Sequence, residues 1–335
     1  MKKVVLSLIF AIFMLVFTGC SCSDAALLSF ENLWGGKTIG YKESLTYSVA
    51  YSSDFAEFGY SFAKSPNLEA LSIEISGTYT IDNEILSKED PTIPQAVKNN
   101  EIFKIESPSV IKSTAKLELT ASYSLLGKTQ TSNDHIYTTA YFYNEDYAFA
   151  PIYTEREINY GNPYVSGGEI LLNTLKGEDF TEYSSEKYTV RTNYGEATET
   201  EYKYTYKSLI DNSALFMALR NKNIDKDATY SVPTVSPAYG NATTLNLKHF
   251  DNTEKGITFT YNGEEKTLTF NTRGISFVVN SLNSSGTPQL VFVQEGEKDG
   301  INKSLIVNYV APLIEYGSLD KYGALVYTLT DATYA

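Results

Sequence analysis

Cysteine is nearly absent: the chain carries two, Cys20 and Cys22, both close to its start. No disulfide framework can staple such a chain, so stability must come from apolar burial and sheet hydrogen bonds. Histidine is as scarce, with His135 and His249 far apart. A zinc centre wants His, Cys or carboxylates in close clusters, and the sequence offers none. Positive charge is short too, 27 Lys and Arg against 40 Asp and Glu, for a net charge of −13. A chain this acidic repels phosphate backbones and anionic headgroups, which excludes nucleic acid as a partner.

The glycine signatures of common catalysts are also missing. No G-x-S-x-G occurs, and Ser318 after Gly317 lacks the rest of a nucleophile elbow. No P-loop or dinucleotide-binding pattern follows a strand, so no cofactor is implied. Asn223, Asp225 and Asp227 are spaced like the first ligands of a calcium loop. Ala228 stands where that loop needs glycine, however, and Thr234 where it needs a bidentate glutamate, so the segment reads as a solvated turn. No spacing among the acidic residues picks out a glycosidase-like pair. The expectation is a non-catalytic chain with no metal site.

What is present begins at the N-terminus. Lys2 and Lys3 precede an almost unbroken apolar run, Val4 to Phe17, and Thr18-Gly19 sets two small residues before Cys20. This is the order of a secretory signal, and the run is too short for a comfortable transmembrane helix of roughly 20 residues. With cysteine after the small pair it resembles a bacterial lipoprotein signal, although Phe17 stands where that box usually carries leucine. The resemblance implies cleavage before Cys20 and diacylation of its thiol. The expected organisation is a signal peptide over 1–19, a lipidated tether over 20–34, and one large β-rich domain over 35–335. Any subdivision of that domain falls near 160–168, where Tyr160-Gly161-Asn162-Pro163 and Ser166-Gly167-Gly168 punctuate the chain. Loss of Lys2 and Lys3 makes the mature chain more acidic still. Attachment to the extracytoplasmic face of the cell membrane would then rest on the acyl chains of Cys20, at about 0.8 kcal/mol per buried methylene.

Beyond the tether, strand periodicity dominates. Leu45, Tyr47, Val49 and Tyr51 alternate with polar or small residues, as do Ile73 to Ile81 and Leu117 to Leu125. Ile136 to Tyr143 is apolar or aromatic on both faces and predicts a strand covered on both sides. The 27 tyrosines suit half-exposed sheet faces, where the ring packs and the hydroxyl finds a polar partner. Pro91 and Pro94 interrupt the pattern and predict a loop or short helical turn. Tyr202, Tyr204 and Tyr206 alternate in a further strand. The period then changes, predicting one packed helix over 208–221 with Ser208 or Asp211 as cap. Leu215, Ala218 and Leu219 would share its buried face, and Arg220 would favour its negative end. Asn262-Gly263 predicts a two-residue hairpin that sets Ile257 opposite Leu268 and Phe259 opposite Lys266. Strands near 275–279, 290–293, 305–310 and 324–329 complete a large curved antiparallel sheet, open or closed as a barrel.

Three short motifs carry a second resemblance. Ala218-Leu219-Arg220 ends the helix, Gly323-Ala324-Leu325-Val326-Tyr327-Thr328-Leu329 closes the chain, and Gly36 to Gly40 opens it. With the β-rich stretch between, the C-terminal part resembles a family of exported β-rich bacterial proteins of unknown function, which supplies no catalytic residue to carry over. Long curved sheets also look like lipoprotein carriers and lipocalin-like barrels, implying a lipid-like ligand in an apolar cavity. The alternative is an envelope interaction or structural protein touching glycan or protein through exposed tyrosines. Those two readings differ in one observable: a cavity lined by strand Tyr, Phe and Leu, or an exposed aromatic row over a solid interior.

Overall fold

The computed structural model describes residues 37–53, 71–104, 109–144, 149–203, 210–220, 224–235, 242–280, 288–301, 305–312 and 323–335. Cys20, the signal and the tether lie outside these residues, as do Tyr204, Tyr206, Ser208 and Asn223. Within them the alternation becomes strands. β1 (Lys42–Ser52) buries Leu45, Tyr47 and Val49, turning the residues between them outward or leaving them half-buried. β2 (Leu71–Ser87), β3 (Ser109–Leu125) and β4 (Lys128–Asn144) follow as long antiparallel neighbours. β5 (Phe149–Ser166), β6 (Glu169–Tyr183), β7 (Lys187–Asn193) and β8 (Ala197–Lys203) continue outward to one edge.

The second half runs back the other way. β9 (Ile210–Asp211), β10 (Thr229–Val235), β11 (Ala242–Tyr261), β12 (Glu264–Asn280), β13 (Gln289–Gln294), β14 (Ile306–Pro312) and β15 (Ala324–Tyr334) bring the last strand against the first. The result is one 15-stranded sheet with β1 and β15 at its centre and β8 and β9 at its edges. Asn262 and Gly263 take φ of 49° and 84°, and the hairpin they make sets Ile257 opposite Leu268 and Phe259 opposite Lys266, the register expected from Asn-Gly.

Two features correct the sequence expectation. The sheet is mixed: β9 pairs in parallel with β10, and Thr260 and Tyr261 of β11 pair in parallel with Asp331 and Ala332 of β15. The second pairing closes β11 to β15 into a five-stranded ring, while the β2 to β8 wing stays open. Alternation cannot reveal this, because it reports which face is buried and not which strand lies alongside.

The helix expected over 208–221 is also shorter. Ile210 and Asp211 belong to the sheet edge, Asn212–Ala214 is a turn of 3₁₀ helix, and only Leu215–Leu219 (α2) is α-helical. Asp211 does cap this segment, accepting the Ser213 N–H at 2.8 Å, while its neighbour Ile210 is drawn into pairing with Thr234. Leu215, Ala218 and Leu219 share the buried side as expected. Arg220 does not serve the helix end. Its Nη1 lies 2.6 Å from Glu43 Oε1 on β1, with side chains 4% and 2% exposed.

Burial divides by face. Ile111, Ala140 and Phe142 join the main core, which also holds the 210–219 plug, while Val110, Tyr141 and Tyr143 join a second cluster on the opposite face. That second cluster is closed by Ile93, Val97, Ile102 and Phe103 around the short helix α1 (Gln95–Asn99). Of the run Ile136 to Tyr143, expected to be covered on both sides, only Ala140 to Tyr143 are, and Ile136 to Thr139 stay half-buried.

One hairpin leaves the sheet. β4 follows β5 only as far as His135 opposite Asn159, and β7 meets β6 only from Asn193 opposite Glu178. Residues 160–166 and 169–175 pair with each other alone among the described strands, so the distal hairpin bends over the inner face of β3 and β4. The Gly161 N–H donates to Asp134 Oδ1 at 2.9 Å, Ile170 is buried in the main core, and Lys128 bridges to Glu169 at the tips. Gly161 permits the bend, since a Cβ there would meet the Ser132 Cβ at 2.9 Å.

A hairpin without flanking strands opens at lower cost than the sheet that carries it. Native-state hydrogen exchange should therefore show amides of 160–175 exchanging at least about tenfold faster than those of 178–183. Uniform protection across the two stretches would contradict the bend. Tyr47, Tyr79, Tyr123, Tyr188 and Tyr334 generate a second expectation, because burial holds their hydroxyls above the ordinary value of 10.0. The fold favours their neutral form, so this contribution is complete below about pH 10 and lost as pH rises further. Tyrosinate absorbance from these rings should emerge together with unfolding, and titration near pH 10 with the fold intact would refute the burial.

Candidate functional site

Between the β2 to β5 wing and the β12 to β15 strands lies an open cleft of about 260 Å³. Strand register builds its first wall, from Tyr79 on β2, Leu117 on β3 opposite Ile136 on β4, and Thr138 opposite Arg156 on β5. Phe277, Gln289, Tyr309 and Tyr327 form the other wall, one each from β12, β13, β14 and β15. The plug enters between them and contributes Asp211, Ser213 and Phe216.

The cleft has an aromatic side. Tyr79, Phe216, Tyr309 and Tyr327 touch in a closed cycle, with ring centroids 4.8 to 5.9 Å apart and the Phe216 and Tyr309 rings perpendicular. Edge-to-face contact of this kind fixes ring orientation while leaving faces for a ligand. Phe216 sits off the Leu215, Ala218 and Leu219 side of the helix, which frees it to face the cleft.

The cleft has a polar end as well. Arg156 donates through Nε and Nη2 to Asp179 Oδ2 at 2.8 and 2.6 Å, and Nη2 also reaches the Tyr194 hydroxyl at 3.1 Å. Burial alone would lower the Arg156 pKa, but the Asp179 carboxylate outweighs it and holds the guanidinium above its ordinary value. Burial first, with Asp179 assisting, pushes the Tyr194 hydroxyl up to about 12. Asp211 is enclosed by donors: Ser213 N and Oγ at 2.8 and 2.5 Å on one oxygen, Thr154 Oγ1 at 2.9 Å and the Tyr183 hydroxyl on the other. A carboxylate so occupied is a structural cap and not a free base.

A second concavity of about 420 Å³ lies at the end of β1, lined by Lys42, Ser44, Asp82, Glu84 and Lys112 among others. It is larger but lacks aromatic rings, Lys42 bridges to Glu84 at 2.7 Å, and Ser44 donates to Asp82 at 2.6 Å. An exposed groove of mutually paired charges offers little that water does not, and the aromatic cleft is the better ligand site.

The other candidate residues fall apart. Cys20 lies outside the described residues. His135 stacks on Tyr137, and His249 lies 3.1 Å from Asn252. Asp225 and Asp227 are exposed in a turn, and among the described residues no group of three or more His, Cys, Asp or Glu comes together. Tyr164 is the one tyrosine with strong exposure among them. Sequence reasoning missed Arg156, Gln289 and Phe216. Phe216 alone left a trace, a large aromatic off the Leu215, Ala218 and Leu219 spacing.

No family model matches the chain, and no curated protein matches it. A solved structure described as a β-barrel-like protein of domain of unknown function DUF1849 from Brucella abortus is similar at a TM-score of 0.46 and 6% identity, covering 88% of this chain and 98% of that one.

Proposed function

We propose that the chain is a lipid-anchored, extracytoplasmic binding protein, without catalysis, that holds an amphipathic small molecule in the cleft between its two sheet wings. The observation that carries this reading is the pairing of four packed aromatic rings with one polar end in a single open cleft of about 260 Å³. Binding sites for small molecules combine an apolar lining with a few placed polar groups, and this volume suits a compact ligand or part of a longer one. The order Lys2-Lys3, apolar run, Thr18-Gly19-Cys20 supports the anchor.

Two measurements test the two parts. The fluorescent amphiphile 1-aminoanthracene should bind the full chain saturably, and Phe216→Ala should weaken it by about tenfold, as expected for losing an aromatic contact, with circular dichroism unchanged. Unsaturable binding, or an unaffected Phe216→Ala, would count against the cleft. Metabolic labelling with an alkyne fatty acid should mark the chain in its membrane fraction and fail for Cys20→Ala. An unlabelled chain retained in the cytosol would remove the anchor.

A further inference from the structure

The hydrogen-bonding inventory of the cleft lining restricts the head group it can take. Arg156 spends Nε and Nη2 on Asp179 and Tyr194, and its Nη1 has no partner among the described residues. Gln289 accepts the Tyr309 hydroxyl through Oε1, and its Nε2 likewise has no partner among them. Two N–H donors therefore stand ready beside the cleft. Thr154 and Ser213 do the reverse: each hydroxyl gives its hydrogen to Asp211, at 2.9 and 2.5 Å, and keeps its lone pairs. A head group that answers both sets must donate and accept at once.

Charge narrows the choice further. Arg156 and Asp179 neutralise one another, with Arg156 Nη2 2.6 Å from Asp179 Oδ2. Asp211, 1% exposed, adds a negative charge with no cationic partner of its own among the described lining residues. An anionic head would be held against that charge in a partly desolvated site, and it could not donate to Thr154 or Ser213. An ammonium head would be set against the Arg156 and Gln289 donors with nothing to offer them. Both costs grow as water is excluded.

We infer that the cleft takes an uncharged amphiphile with a hydroxylated head, of the class of monoacylated glycerols or alkyl glycosides. The hydroxyls accept from Arg156 and Gln289 and donate to Thr154 and Ser213. The first part of the apolar chain lies against Tyr79, Phe216, Tyr309 and Tyr327. This assignment rests on the cleft being the ligand site.

Three amphiphiles with the same ten-carbon chain separate the possibilities: monodecanoylglycerol, decanoate and decyltrimethylammonium. Each is titrated below its micellar concentration against the full chain loaded with 1-aminoanthracene, at neutral pH. Monodecanoylglycerol should displace the probe at a concentration at least about tenfold below the other two, the scale of a charge mismatch for decanoate and of two donors left unpaired for the ammonium compound. Decanoate or the ammonium compound displacing equally well would overturn the head-group assignment while leaving the cleft as the site. Failure of all three to displace the probe would overturn the binding reading itself. Gln289→Met keeps the side-chain size and removes one donor. It should cut the preference for the glycerol head at least about threefold without moving the thermal midpoint by more than a few degrees. An unchanged preference would place the head elsewhere and refute the assignment.

Discussion

The contact on which the architecture hangs is the buried ion pair between Arg220 and Glu43. β1 is where the two wings meet, pairing with β2 on one side and β15 on the other. Glu43 sits near its start and turns inward, where it also accepts the Asn83 amide at 3.1 Å. Burial by itself would lower the pKa of Arg220, and Glu43, with Tyr334 and Tyr47 beside it, more than reverses that, so the guanidinium stays charged in the interior. Such a pair gains little net stability over a well-packed apolar substitute, but removing one partner costs about 3–5 kcal/mol because the other is left uncompensated. Its contribution is therefore one of position. It ties the end of the plug to the central strand of the sheet.

From that tie the cleft follows. Arg220 directly succeeds α2, and Asp211 begins the same segment with four donors around its carboxylate. Two of those donors come from Thr154 on β5 and Tyr183 on β6, so the near end of the plug is tied to the open wing. The far end is tied to β1. A segment of ten residues held at both ends enters the interior and forms one side of the cleft. Phe216 joins the rings of both walls across that space, in contact with Tyr79 on one side and Tyr309 on the other. Curvature, plug and cleft are thus one arrangement. A sheet this wide would otherwise expose its inner face, and the 210–220 segment and the bent hairpin each cover part of it.

Much of the fold was legible in the residues. The alternation of Leu45, Tyr47 and Val49 and the Asn262-Gly263 turn report local physics, and the structure follows both; it follows the two-sided run of Ile136 to Tyr143 only over Ala140 to Tyr143. The helix was legible only in part. Leu215, Ala218 and Leu219 have helical spacing, but a sheet edge captured Ile210 and Asp211, and that competition depends on where Thr234 lies. The ion pair was invisible for a related reason. Arg220 after a helix reads as a dipole partner, and nothing local signals a carboxylate 177 residues away. The cleft is assembled from one or two residues of each of eight strands and the plug, each of which reads alone as core or sheet face. The bend at Gly161 was seen only as punctuation, because a glycine inside a strand does not say which neighbour approaches it.

A double-mutant cycle between Glu43 and Arg220 tests the central claim most directly. Glu43→Gln, Arg220→Met and the combined variant are compared by urea unfolding. If the pair secures the plug, each single change costs about 3–5 kcal/mol, and the double change costs less than the sum by at least about 2 kcal/mol. Costs that add to within about 0.5 kcal/mol would mean the two residues act independently, and the plug would have to be held by something other than this pair.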